Sequence, residues 1–186
     1  PTIYAAMIAN LKKNSIKYQN LRRCVSAGEA LPSQIGTDWK NITGVDILDG
    51  VGSTEMLHIF LSNKPNNITY GTSGSAVPGY DLKLVDEYGE EVAIGEIGEL
   101  LVKGQSSAMC YWNKLTKSRN TFEGKWTRTG DKYEKIKDEK YIYSGRTDDM
   151  FKVSGIWISP FEVEQALVSH DLVLEAAVVA KQDNEG

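Results

Sequence analysis

Cysteine is scarce in this chain of 186 residues: Cys24 and Cys110 are the only two and lie far apart. With no second pair, neither a disulfide framework nor a cysteine-type metal site is available. Basic residues are not in excess either, 21 Lys and Arg against 25 Asp and Glu for a net charge of −4. That balance argues against a broad basic surface for nucleic acid. No apolar run approaches the length of a membrane span, and no signal-peptide pattern opens the chain. No membrane partner and a cytoplasmic location are therefore expected. Internal repeats and low-complexity segments are absent as well. What remains is ordinary globular material, 41% hydrophobic and 25% charged, enough for a sizeable core. The length suits one domain, or one domain and part of another.

The first third reads as an α/β layer. Ile3, Met7, Ile8 and Leu11 recur at helical spacing, predicting a helix over about 2–13 that ends near Asn14. Leu21 to Ser26 suits a short strand running into the turn AGEALP, where Pro32 opens a helix reaching about Lys40. Val45 to Leu48 is a second short strand, followed directly by GVGSTEMLH. Residues 65–143 change character and read as mostly β, a small barrel-like subdomain. Asp81 to Val85 and Glu99 to Gly104 are strands, Tyr133–Ile136 and Tyr141–Tyr143 flank KDEK as a hairpin, and a short helix falls near Lys114–Phe122. Met109, Tyr111 and Trp112 are expected in the core, and both cysteines as inert buried thiols.

A third region starts at Ser144, where SGRTDD is a charged linker. Ser159, Pro160 and Glu162 form S-P-x-E, a helix start with a cap and proline at the first helical position. Val163, Ala166 and Leu167 then supply a buried stripe, and Leu174 to Ala180 a buried strand.

Taken singly, the motifs are ambiguous. The glycines of GVGSTE let backbone approach a ligand, Ser53 and Thr54 can donate to phosphate, and Glu55 offers a hard oxygen to Mg²⁺. The alternative is a structural turn, and without G-K-[ST] it is not a Walker loop. WTRTGD sets Asp131 after a glycine turn, suited to both hydroxyls of a ribose or to capping the turn itself. Arg146, Asp148, Asp149 and Lys152 gather in a segment that is either functional or simply solvated. His58 suits a substrate pocket or a satisfied rim position equally. Because ligands sit where strand ends converge in α/β sheets, Gly28, Ile35, Gly52, His58 and Ile59 are a candidate ligand pocket.

Order and spacing sharpen this. LRRCVSAGEALP, DGVGSTE, GEIGELLVKG, WTRTGD, YSGRTDDMFKVSG and SPFEVEQAL occur in a sequence that resembles the acyl-adenylate-forming, AMP-binding enzymes. PTIYAAM, SAGEALP, SRNTF, TGDKY and VLEAAVVA are most similar to benzoate- and hydroxybenzoate-CoA ligases. The resemblance implies a fold in which residues 1–143 are the C-terminal part of a large domain, with 1–64 the α/β layer. Residues 144–186 then form a hinge and the start of a small α+β domain. It also implies two steps: an aromatic carboxylate and ATP give an acyl-adenylate and pyrophosphate, then CoA displaces AMP.

By match to the family pattern, Thr54 contacts phosphate and Glu55 binds Mg²⁺. Asp131 holds the ribose, and Arg146 supports ribose and phosphate. Gly28, Glu29, Asp49 and Gly50 line the adenine and acyl side. Asp148 is the hinge, while Lys152, Gly155 and Trp157 approach the thioester site after rotation. Two departures accompany the match. Val51 stands where many relatives carry an adenine-stacking aromatic residue. The family's phosphate loop and catalytic lysine lie outside this stretch, and the chain starts with Pro1 instead of Met. An internal segment, inactive alone and prone to self-association, is expected. The alternatives are an adenylation domain loading a carrier protein and a non-catalytic adenylate-binding protein.

Overall fold

In the first layer, α1 (Thr2–Asn14) buries Ile8 and Leu11 against Trp39 of α2 (Ser33–Thr43), Cys24 of β1 (Cys24–Ser26) and Ile47 of β2 (Ile47–Gly52). Tyr4 contributes an edge-on contact to Trp39 at 4.9 Å between ring centroids and donates its hydroxyl to the Val25 carbonyl. Pro32 supplies the fixed φ that precedes α2, and Gly44 ends it in the left-handed conformation, φ 77°, donating its N–H to Lys40 O at 2.8 Å. β1 and β2 pair in parallel, with Ser26 opposite Asp49, so α2 is a crossover helix of the βαβ kind. This computed structural model describes residues 1–14, 18–154, 156–168, 170, 172–173 and 176–181, with backbone alone at 157.

The expected order of helix, strand, helix, strand is present, but β2 is longer than its apolar run. It continues through Asp49, Gly50, Val51 and Gly52 and pairs antiparallel with β3 (Ile59–Ser62), which in turn pairs with β4 (Ser75–Ala76). The stretch GVGSTEMLH is therefore strand over its first three residues and hairpin tip over the other six. Gly52 makes this feasible: a Cβ there would stand 2.6 Å from the carbonyl oxygen of His58.

The second layer is antiparallel. β5 (Asp81–Val85) and β6 (Ile97–Lys103) pair, β6 adjoins β8 (Trp126–Ile136), and β8 carries β7 (Phe122–Glu123) at one end and β9 (Lys140–Arg146) at the other. Among the described residues β5 does not pair with β7 or β9, so the sheet is open instead of a closed barrel. The short helix α3 (Leu115–Thr121) leads into β7. Phe60 and Leu61 from β3 and Met56 from the hairpin tip share a core with Leu84, Leu100, Val102, Tyr133 and Tyr141. The two layers are fused through this cluster, which fixes the hairpin tip relative to β8.

Several sequence expectations are corrected. The segment read as a linker from Ser144 begins as strand, because Gly145 and Arg146 still pair with Lys132 and Asp131 of β8. Met109 and Trp112 are 92% and 94% exposed and Cys110 is exposed, so neither aromatic-rich packing nor a buried thiol occurs at those positions. The surrounding segment is tied down by polar contacts: Ala108 N donates to Glu55 O at 2.7 Å and Tyr111 donates to the Glu55 carboxylate.

In the last region β10 (Phe151–Val153) and β11 (Ile156–Ile158) form a hairpin before α4 (Pro160–Val168). Ser159 caps α4 as expected, its Oγ accepting from Glu162 N at 3.3 Å and donating to Ser144 O at 2.7 Å. The stripe Val163, Ala166 and Leu167 is exposed instead of buried, since α4 meets β9 through Phe161, which lies edge-on to Tyr143 at 4.8 Å. Leu174 and Glu175 lie outside the described residues. Residues 176–180 carry no strand. No helix among the described residues is long and apolar enough to cross a membrane.

Candidate active site

Three backbone features bring distant residues to one cleft. The turn after β1 presents Gly28 and Glu29, the β2–β3 tip presents Gly52, Thr54 and Glu55, and an irregularity in β8 presents Asp131. That irregularity lies where β6 and β8 lose register around Glu99 and Leu101. Thr129 stabilises it, donating its hydroxyl to Leu100 O at 2.8 Å and accepting from Asp131 N at 3.1 Å. Such bulges re-aim a side chain without ending the strand. The cleft so formed has a volume of about 720 Å³.

Asp131 and Arg146 face each other across β8 and β9. Arg146 Nη1 donates to Asp131 Oδ1 and to the Thr129 carbonyl, and its Nε donates to Asp148 Oδ1, each at 3.2 Å. Gly130 has φ +73°, and a Cβ there would reach 2.9 Å from an Arg146 guanidinium nitrogen. A residue other than glycine would displace the guanidinium from its carboxylate. Burial pushes the Asp131 carboxyl above its usual range, and the attraction of Arg146 opposes this without cancelling it. The guanidinium is destabilised by burial in turn, but Asp131 and Asp148 hold its proton more firmly than usual.

Glu55 behaves differently. Burial pushes its carboxyl up, but hydrogen bonds from Tyr111, its own backbone and Ser53, with the charge of Lys117, outweigh that and hold it below the usual range. It is an ionised, preorganised oxygen donor. Among the described residues no group of three or more His, Cys, Asp and Glu could cage a metal.

One further polar feature lies alongside. Asp49 and Ser26, register partners in the middle of β2 and at the carboxyl end of β1, each have a buried side-chain oxygen without a hydrogen-bond partner among the described residues. Burial pushes the Asp49 carboxyl up to about 7. Asp49 borders a smaller cavity of about 180 Å³ that adjoins the main cleft along Ala30, Ser73, Tyr143 and Phe161.

Comparison with known proteins decides the family. The profile of the AMP-binding enzyme family matches residues 1–112. The chain belongs to the AMP-binding enzymes. It is 59% identical over its whole length to a 4-hydroxybenzoate–CoA/benzoate–CoA ligase of Rhodopseudomonas palustris and 55% identical to a benzoate–CoA ligase of Thauera aromatica. It spans about 35% of the length of each of these relatives. Among solved structures, an anthranilate CoA ligase in complex with anthranoyl-AMP matches 98% of the chain at 49% identity and a TM-score of 0.89. This chain covers 35% of that structure. A benzoate CoA ligase from Burkholderia xenovorans matches 99% of the chain, again at 49% identity, with a TM-score of 0.84 and 37% of its own length covered.

In this AMP-binding chain, then, Gly28, Glu29, Gly52, Thr54, Glu55, Asp131 and Arg146 share one cleft. Other candidates sit elsewhere. Gly50 packs within β2 against Ile59 and Leu61, and Ile35 belongs to the α1–α2 core. His58 is exposed and hydrogen-bonds through Nδ1 to the Ile59 carbonyl. Asp148 is exposed beside Arg146. Lys152 and Trp157 are register partners in the β10–β11 hairpin, while Gly155 between them lies outside the described residues. Sequence reasoning missed Tyr111, Lys117 and Thr129, which also line the cleft. Tyr111 is 56 residues from the Glu55 it contacts, a pairing that no local spacing signals.

Proposed function

We propose that this chain is part of an ATP-dependent aryl-CoA ligase that activates benzoate or a substituted benzoate. Residues 1–143 belong to its large domain and 144–186 to the hinge and the start of its small one. The observation that carries this reading is the convergence of Thr54, Glu55, Asp131 and Arg146 on one cleft, in a chain 55–59% identical to benzoate–CoA ligases. The anthranoyl-AMP held by one structural neighbour supports an aromatic acyl-adenylate as the intermediate.

In the first step a carboxylate oxygen of the acid attacks the α-phosphorus of ATP, forming the acyl-adenylate and releasing pyrophosphate. In the second, the CoA sulfur, losing its proton, attacks the acyl carbon and AMP leaves. Bringing two anions together is the physical obstacle, so positioning and charge neutralisation supply most of the acceleration. Asp131 accepts hydrogen bonds from the ribose hydroxyls, with Arg146 fixing its rotamer and facing the phosphate. Thr54 donates to phosphate. Gly28 and Glu29, with Asp49 beside them, border the adenine side, and the aliphatic face of Val51 packs near the base.

One ionised carboxylate without partners to complete a cage fits Mg²⁺, which takes one or two protein oxygens and fills its remaining positions from phosphates and water. Glu55 would hold it, and the bound ion supplies charge neutralisation at the phosphates. Asp148 is the hinge, and the β10–β11 hairpin carries Lys152 and Trp157 toward the thioester step. A cytoplasmic location belongs to the same proposal.

The test is ATP–pyrophosphate exchange driven by benzoate. The intact ligase is expected to exchange, and the 186-residue chain alone is not, because it spans about a third of its relatives. No exchange by the intact protein with any aromatic acid overturns the ligase reading; exchange by the short chain overturns its incompetence.

A further inference from the structure

The segment Ser106–Tyr111, whose Met109 and Tyr111 suit a core by sequence, instead clasps the hairpin tip. Ser106 Oγ donates to the Met56 carbonyl at 2.6 Å, Ala108 N donates to the Glu55 carbonyl at 2.7 Å, and the Tyr111 hydroxyl donates to Glu55 Oε1. Backbone and carboxylate of the same residue are thus held from one neighbouring strand of chain. Tyr111 is itself fixed by its surroundings. Its N–H donates to Ser118 Oγ at 2.9 Å, Phe122 packs at 5.4 Å between centroids, and Lys117 Nζ lies 4.7 Å over the ring. A cation above the ring faces the negative side of its quadrupole, so α3 and its C-terminal neighbour lock both the plane and the reach of the hydroxyl.

We propose that Tyr111 is a positioning residue: it holds one oxygen of Glu55 so that the other is presented to the metal–triphosphate side of the cleft. A glutamate at a hairpin tip has three rotatable bonds, and an unheld carboxylate would lose affinity for a metal ion through the cost of ordering it. A tyrosine hydroxyl is suited to this task because it donates a strong hydrogen bond and carries no charge to compete for the anion. The proposal rests on the nucleotide-site reading above and adds to it the residue that sets the carboxylate's geometry.

The experiment is calorimetric titration of the intact ligase with a non-hydrolysable ATP analogue over a series of Mg²⁺ concentrations, and with AMP in the absence of metal. Tyr111→Phe is expected to raise the Mg²⁺ needed for half-maximal analogue binding about tenfold, the loss of one hydrogen bond to a charged group. AMP affinity is expected to stay within about twofold, since AMP needs no bridging metal. Unchanged Mg²⁺ dependence overturns the proposal, as does an equal loss of AMP affinity, which would signify general damage to the cleft. In the Glu55→Gln background Tyr111→Phe is expected to add nothing; a full additional loss there also overturns it. Tyr111→His keeps a ring donor and should fall between the two, and serves where phenylalanine does not fold; a value as poor as that of Glu55→Gln overturns the proposal. Failure of the unaltered ligase to bind either nucleotide overturns the site reading itself, and this inference with it.

Discussion

Asp49 shows at the scale of one residue how a buried carboxyl departs from what stability alone would select. Its carboxyl is buried, one oxygen lacks a partner among the described residues, and burial pushes it up to about 7. In the unfolded chain the same group loses its proton near pH 4. The folded state therefore holds the proton more tightly, and the stability this confers is complete below about pH 4. It declines as pH rises toward 7 and stays lost above that. Asp49→Asn keeps the shape and removes the charge, so it should match the unaltered protein near pH 4 and gain about 1–3 kcal/mol by pH 8. Thermal melts at the two pH values check this, and an equal effect at both would show that Asp49 is not the buried charge.

At the scale of elements, the β2–β3 hairpin is constrained by backbone packing and by the core together. Glycine at position 52 lets β2 pass within contact of the His58 carbonyl, and Met56 anchors the tip in the shared core. Gly52→Ala would push backbone against backbone, with an expected cost of about 1–3 kcal/mol and a larger fractional loss of Mg²⁺–nucleotide binding than of AMP binding. Chemical denaturation and titration separate the two, and an alanine variant of unaltered stability would mean that the hairpin yields without strain. The α4 element is positioned differently, by Ser159 on Ser144, Phe161 on Tyr143 and Glu164 on Val178.

At the scale of the whole molecule, apolar surface remains on view. Ile3, Val25, Leu57, Trp112, Leu167 and Val179 are all more than 45% exposed. Covering such side chains against a second copy is favoured in water, so the 186-residue chain by itself should show concentration-dependent sedimentation between about 5 and 100 µM. A single monomeric species across that range would contradict the expectation.

Much of the first layer was legible in the sequence because its signals are local. Helical spacing in α1, Pro32 before α2 and, beyond that layer, the S-P-x-E cap of α4 all act within a few residues, and the structure shows each at work. The end of α2 at Gly44, past the expected Lys40, comes from the structure. The cleft motifs were legible through their residue types and their order. The extent of β2 was not, since glycines that look like a turn become strand when a partner strand accepts them. Nor was the exposure of Met109 and Trp112, because hydrophobic identity does not say whether neighbours are there to cover a side chain.

By itself, then, the sequence determined the kinds of element, the charged and hydroxyl groups available, and the family they belong to. Only the tertiary structure decided that Asp131 faces Arg146 across two strands, that Glu55 is held by Tyr111, and that Asp49 is buried with an oxygen unpaired. These are contacts between residues far apart in the chain, and their geometry depends on strand register and bulges set by the joint packing of both layers.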